Sequence, residues 1–331
     1  MCQDSTPSVT SRKTTSSAQR KNLPRHSVSP REPPHAEKAG EGSKSEDRSK
    51  SAAAKNVERA RSARSGDARP IGVFDSGIGG LTVVSALRKL LPNESICYLG
   101  DTARVPYGGK SASTVQRYSL EIASILLEMN AKTIVVACNT ASALALPVLE
   151  ERLPITVTGV IAPGARAAVA ATRNGHIGVI GTRATIKSGA YERAIAELNP
   201  DVRVVARACP LLVPLIEEGW LESGITDQIL MQYLEPLLDD GVDTLVLGCT
   251  HYPLLRPAIG RLLGDAVTLV DSAENCAGAV QQLLAREDLV APSNNTGALD
   301  VALTDPPDSF LGVAHDALQL EIGEVQLRSV R

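Results

Sequence analysis

No stretch of the 331-residue chain is apolar long enough to cross a bilayer as a helix, which excludes an α-helical integral membrane protein. The N-terminal segment lacks the apolar core of a secretory signal and is not acid-poor like a transit peptide, so a cytoplasmic location and no membrane partner are expected. Histidine is scarce. Of five, His26 and His35 fall in the first seventy residues, and the Cys249-x-His251 pair lacks the two further ligands of a zinc tetrahedron, so no metal is expected. The six cysteines (Cys2, Cys97, Cys138, Cys209, Cys249, Cys276) have no framework spacing and lie mostly in or beside apolar runs, as in a reduced protein rather than a disulfide scaffold.

Charge divides the chain in two. Residues 1–69 carry 15 Lys plus Arg against 8 Asp plus Glu, formally +7, with Ser and Pro throughout and almost no aliphatic clustering. Such a segment buries too little apolar area to offset its ordering entropy, and residues 1–70 read as a disordered basic tail. The remainder carries 19 basic and 29 acidic residues, formally −10, which argues against a nucleic-acid groove. About 261 residues are then left for two small domains.

The ordered pattern opens with an apolar run, Ile71-Gly72-Val73-Phe74, then Asp75-Ser76-Gly77-Ile78-Gly79-Gly80, then Leu81, Val84, Leu87 and Leu91 at helical spacing. A dinucleotide fingerprint needs a glycine three places after Gly79. Thr82 stands there, and the nicotinamide reading fails. Asp75 and Ser76 sit instead where glycines let backbone N–H groups and a helix N-terminus approach an anion such as a carboxylate. A strand over 95–99 leads to the loop 100–110, in which Tyr107 and Gly108 form either a substrate wall or a turn whose Gly-Gly reverses the chain, the turn being slightly favoured.

Helix 114–130, an apolar strand ending at Cys138, helix 141–150 and strand 156–160 complete a first half, and Pro163-Gly164 marks the crossing into a second. There the order restarts with helix 165–172, strand 177–180 and Gly181-Thr182 opening a helix through Leu198. Strand 202–206 precedes the run 209–219. That run closes in Glu217 and Glu218, the second explained by an exposed helix face and the first equally by a site. Helix 225–239, a strand ending at Cys249 and strand 267–270 follow, and the last sixty residues add helix 273–286, strand 299–303, helix 308–318 and a strand near Val325.

Two runs repeat one design: Thr133-Ile134-Val135-Val136-Ala137-Cys138-Asn139-Thr140 and Leu245-Val246-Leu247-Gly248-Cys249-Thr250-His251. Each is a buried strand of an α/β sheet delivering a thiol to its carboxyl edge. One such cysteine is most simply a small core residue. Two in matched settings suit removal of a proton from one face of a carbon and its return on the other, with a thiol whose pKa lies closer to neutrality than a carboxylate's. Asn139, Thr140, Thr250 and Ser76 are donors able to stabilise a carbanion-like transition state, and Asp75, His251 and Glu217 could assist the thiols or bind an ammonium. Cys-His nucleophilic hydrolysis at Cys249 stays open, although it leaves Cys138 without a purpose.

The motifs Val73–Gly80, Asp101–Gly108, Ala137–Ala141 and Gly248–Pro253 resemble those of the cofactor-independent aspartate/glutamate racemases, bacterial glutamate racemases in particular, and the resemblance spans residues 71–331. It implies an α/β fold of two pseudo-symmetric lobes, 71–163 plus 271–331 and 164–270, with mainly parallel sheets flanked by helices and the active site in the cleft between them. It further implies interconversion of L- and D-glutamate for peptidoglycan, without cofactor. By position Cys138 resembles the thiol acting on the D-enantiomer, assisted by Asp75, and Cys249 the one acting on the L-enantiomer, assisted by Glu217 and His251. Ser76, Tyr107, Gly108, Asn139, Thr140, Thr182 and Thr250 fall at the family's substrate-binding positions. Family members are often homodimers, and some answer to a muramyl-alanine nucleotide activator, for which the long tail carries no matching motif. Rival readings are the same chemistry on aspartate or another small acid, a lyase of the superfamily, and a macromolecule-binding protein.

Overall fold

The computed structural model describes residues 66–306, 312, 318, 320 and 322–330. The tail to residue 65 and most of the helix expected over 308–318 lie outside the described residues. Residues 66–70, which composition assigns to the tail, are fastened to the body: the Asp67 N–H donates to Val290 O at 3.0 Å and the Asp67 carbonyl accepts from Lys132 Nζ at 2.7 Å.

The first sheet begins with β1 (Ile71–Asp75), followed by α1 (Leu81–Leu90), β2 (Ile96–Gly100), α2 (Ala112–Glu128) and β3 (Thr133–Val136). The helix expected over 141–150 is two: α3 (Asn139–Leu144) and α4 (Leu146–Arg152). Pro147 has no N–H to continue the first helix and its ring opposes the carbonyl one turn back, so the chain breaks at Ala145. Strand β4 (Val157–Gly159) ends this run, and α5 (Ile161–Ala171) follows at once. Pro163-Gly164, expected at a crossing, lies in the first turn of α5, where a missing N–H costs nothing.

The second sheet is built from β5 (His176–Gly181), α6 (Arg183–Ser188), α7 (Ala190–Leu198), β6 (Arg203–Ala208), α8 (Leu212–Glu217), α9 (Gly224–Asp239), β7 (Thr244–Gly248), α10 (Arg256–Leu263) and β8 (Thr268–Asp271). The single helix expected from Thr182 to Leu198 divides at Gly189, whose φ of 65° is left-handed and ends α6. α11 (Ser272–Arg286) then returns to pack on α1, and β9 (Leu299–Leu303) and β10 (Gln326–Leu327) extend the first sheet.

Among the described residues every strand pairing is parallel. The sheets run β10-β9-β2-β1-β3-β4 and β6-β5-β7-β8. The strands β2-β1-β3-β4 of the first sheet and all four of the second therefore share one order, with the direction of winding reversing between β1 and β3 and again between β5 and β7. Such reversals open a crevice beyond the carboxyl ends of the strands, where ligands bind in α/β sheets. β1, β3 and β7 are buried along their whole length, which explains runs of continuous rather than alternating apolar residues. Among the described residues, no helix is long and apolar enough to cross a membrane.

Candidate active site

The two crevices face one another. Asp75 ends β1 fully buried, its Oδ2 accepting the N–H groups of Gly77 at 3.2 Å and Gly80 at 3.1 Å from the Gly-rich turn. Its Oδ1 accepts from the hydroxyl of Thr250, beyond the second sheet, at 3.4 Å. Burial pushes the Asp75 carboxyl above its ordinary value, against the opposing pull of His251 and the backbone N–H groups.

Cys138 stands two residues past β3 at the mouth of α3, its thiol 3.5 Å from Ser76 Oγ. Burial first, and the Asp75 carboxylate second, push that thiol up to about 12, so the resting group is a protonated acid.

Cys249 follows β7 directly. Its Sγ lies 3.9 Å from Nδ1 of His251, and Nε2 of the same ring lies 3.1 Å from Oε1 of Glu217. Burial pulls the His251 pKa down, but hydrogen bonds to Cys249 and Glu217 and the charges of Cys249 and Asp75 outweigh it and hold the ring at about 10. An imidazolium at this distance stabilises negative charge on the Cys249 sulfur. The two half-sites thus differ: a neutral thiol beside a carboxylate, and a thiol beside a cationic ring.

One small cavity of about 30 Å³ joins them, lined by Ser76, Val105, Pro106, Tyr107, Gly108, Cys138, Asn139, Thr140, Thr182, Val213, Cys249, Thr250 and His251. Ten of the twelve residues singled out from sequence meet there. Asp75 and Glu217 stand behind, reaching the cavity through Thr250 and His251. Glu217 lines an adjoining, mostly apolar pocket of about 220 Å³ with Val105, Pro106, Val213 and Tyr252.

Loop 100–110 is a wall and more than a reversal. It forms two short 3-10 turns, Thr102–Arg104 and Tyr107–Gly109. The buried Asp101 carboxylate accepts from Tyr107 OH, from Arg104 Nε at 2.7 Å and from Thr304 Oγ1 at 3.0 Å, pinning the loop to the end of β9. Gly108 abuts Thr182: a Cβ there would sit 2.7 Å from the threonine Cβ. The Thr182 hydroxyl caps α6 and pairs with Thr140 Oγ1 at 2.9 Å, while Thr185 Oγ1 lies 3.1 Å from Thr140. Asn139 Oδ1 accepts from Tyr191 OH at 2.7 Å.

Asp101, Thr185, Tyr191, Val105, Pro106 and Val213 were not singled out from sequence. Asp101, Val105 and Pro106 lie inside the Asp101–Gly108 motif. Tyr191 reads as an ordinary apolar position of an amphipathic helix, and nothing in the sequence marks it. Among the described residues, no group of three or more His, Cys, Asp or Glu is placed to hold a metal ion.

Residues 81–280 match the Asp/Glu/hydantoin racemase family model. A glutamate racemase of Geobacter metallireducens is 53% identical over 257 residues, covering 78% of this chain and 95% of its own. The crystal structure of glutamate racemase from Francisella tularensis in complex with D-glutamate superposes with a TM-score of 0.75 at 38% identity, covering 80% of this chain and 98% of that one. Glutamate racemase from Escherichia coli, in complex with L-glutamate and the activator UDP-MurNAc-Ala, gives a TM-score of 0.65 at 31% identity, covering 80% and 99%.

Proposed function

The chain belongs to the Asp/Glu/hydantoin racemase family and is an isomerase, an amino-acid racemase, and on that premise we propose that it interconverts L- and D-glutamate by a cofactor-independent, two-thiol mechanism. The observation that carries this reading is the meeting of Cys138 and Cys249, from two topologically equivalent strand ends, in one cavity otherwise lined by hydroxyls, an amide, the His251 imidazole and small or apolar residues.

L-Glutamate enters with its α-C–H toward Cys249. The thiolate, stabilised by the His251 imidazolium, takes the α-proton and becomes a thiol, and the electron pair of the C–H bond passes into the α-carboxylate as a carbanion-like state. The Cys138 thiol gives its proton to the opposite face and becomes a thiolate. D-Glutamate leaves, and proton exchange resets the pair. In the reverse direction Cys138 is the base and Cys249 the acid. Ser76, Asn139, Thr140, Thr182 and Thr250, with the Tyr107-Gly108 wall, hold the carboxylates and ammonium. Asp75 assists Cys138, and Glu217 keeps His251 cationic for Cys249.

Glutamate as substrate is supported by relatives of about half identity that carry this activity and by the D-glutamate complex of the Francisella relative. Supply of D-glutamate for peptidoglycan, homodimer formation and response to a muramyl-alanine nucleotide belong to the same reading, the last supported by the activator complex of the Escherichia coli relative. The lobes are taken as 71–163 plus 271–331 and 164–270. A cytoplasmic setting accords with five buried, free cysteines among the described residues.

The test is polarimetric: the full chain with L-glutamate and no added cofactor. Decay of the circular dichroism to zero, with L-aspartate unchanged under the same conditions, is expected. An unchanged L-glutamate signal overturns the assignment, and faster decay of L-aspartate transfers it to that substrate.

A further inference from the structure

Asn139 presents an imbalance. Its side chain is buried, its Oδ1 is taken by Tyr191 OH, and its Nδ2 has no protein acceptor, although the residue lines the cavity. An amide whose oxygen is held and whose two N–H groups are unmatched is a donor pair awaiting an acceptor, since a buried donor left unpaired is costly. A carboxylate supplies that acceptor.

The hydroxyl that donates to Oδ1 belongs to Tyr191, on α7 beside the second sheet, while Asn139 opens α3 beside the first. The phenol is buried, which pushes its pKa above the ordinary value against the pull of a hydrogen bond with Ser272, so the O–H keeps its proton. Its ring packs against the other half-site: a Cβ built on Gly248, the residue before Cys249, would lie 3.2 Å from Tyr191 Cε2. One side chain therefore touches the neighbour of each thiol. An asparagine amide is otherwise free to turn over, exchanging its donors for an acceptor that repels a carboxylate.

We propose that Tyr191 is a positioning residue that sets the orientation of the Asn139 amide across the two lobes, so that both Asn139 N–H groups face a carboxylate of the amino-acid substrate. The inference rests on the reading of the cavity as the substrate site. Its ligand class is the carboxylate of an amino acid, bound by an amide whose orientation is set only while α7 and α3 are in contact.

The experiment is a double-mutant cycle on the full chain, measuring KM and kcat for L- and D-glutamate, with thermal unfolding as the check on folding. Tyr191→Phe keeps the ring on Gly248 and removes the O–H. KM is expected to rise about 3- to 10-fold in both directions, the scale of one hydrogen bond, with kcat changed less. Asn139→Ala is expected to raise KM further, and adding Tyr191→Phe to it is expected to change nothing more. Asn139→Asp, which still accepts from Tyr191 but offers no N–H, is expected to behave like Asn139→Ala, and an unchanged KM in that variant overturns the proposal without depending on the folding of any Tyr191 variant. An unchanged KM in Tyr191→Phe with a raised KM in Asn139→Ala overturns the Tyr191 role and leaves the site reading standing. Equal KM effects of Tyr191→Phe with and without Asn139 also overturn it. An unchanged KM in Asn139→Ala overturns both the proposal and the place of Asn139 in the site.

Discussion

Nε2 of His251 lies 3.1 Å from Oε1 of Glu217, while Nδ1 of the same ring lies 3.9 Å from the Cys249 sulfur. The ring thus hands the influence of a partly exposed carboxylate to a buried thiol. Glu217→Gln removes one of the contributions that hold His251 at about 10. Because the folded-state value is raised above 6.5, the linked stabilisation is fully present below about pH 6.5 and is lost as pH rises through 10. In the variant, activity is expected to fall at a lower alkaline pH than in the unmodified protein. A profile of kcat/KM from L-glutamate across that range reads it, and an alkaline limb that does not move contradicts the relay.

Cys138→Ser and Cys249→Ser should each abolish racemisation in both directions. A serine hydroxyl is too weak an acid to replace either thiol, and loss of one positioned acid/base group costs about 10²- to 10⁴-fold. Turnover of L-glutamate and of D-glutamate by either variant is the check. Near-normal rates in one of them would remove that cysteine from the chemistry.

Gly79 abuts the Nδ1–Cε1 edge of His251. A Cβ at Gly79 would lie 2.5 Å from the imidazole and 2.7 Å from Thr250 Oγ1. Gly79→Ala must therefore displace the ring or the turn, with an expected loss of about 1–3 kcal/mol of stability and a larger fractional loss of kcat. Urea unfolding and steady-state kinetics on the same preparation test both, and full activity would mean that the turn yields without moving His251.

Far from the cavity, Lys132 Nζ meets Glu94 Oε2 at 2.5 Å, both side chains almost wholly buried. The carboxylate also accepts from Ala291 N, at 2.7 Å, and the ammonium donates to Asp67 O. Lys132→Met leaves a buried carboxylate uncompensated and is expected to destabilise by about 3–5 kcal/mol with KM unchanged. Chemical denaturation measures the loss, and a cost below about 1 kcal/mol would contradict this account of the buried pair.

Much of the fold was legible because buried parallel strands announce themselves. The runs Ile71–Phe74, Thr133–Val136 and Thr244–Leu247 are apolar on both faces, and each stops at small or reactive residues. The breaks at Ala145 and Gly189 were harder to read, since Pro147 and Gly189 sit inside sequences whose apolar spacing continues a helix on either side. The thiols and their flanking residues were readable from their repeated setting. Asp101 and Tyr191 were not, because their parts depend on contacts made across more than fifty residues of chain: Tyr191 with Asn139, and Asp101 with Thr304. Spacing along the sequence carries no trace of such pairs.

Deuterium incorporation from solvent tests the two-thiol claim most directly. The full chain is given L-glutamate in deuterium oxide, and the reaction is stopped after a small fraction of turnover, with the α-carbon of each enantiomer followed separately by proton NMR and chiral separation. With Cys249 as base and Cys138 as acid, the D-glutamate formed carries deuterium while the remaining L-glutamate keeps its proton. Equal labelling of both enantiomers at this stage, or D-glutamate that retains the original proton, would mean one group serving both faces and would contradict the mechanism.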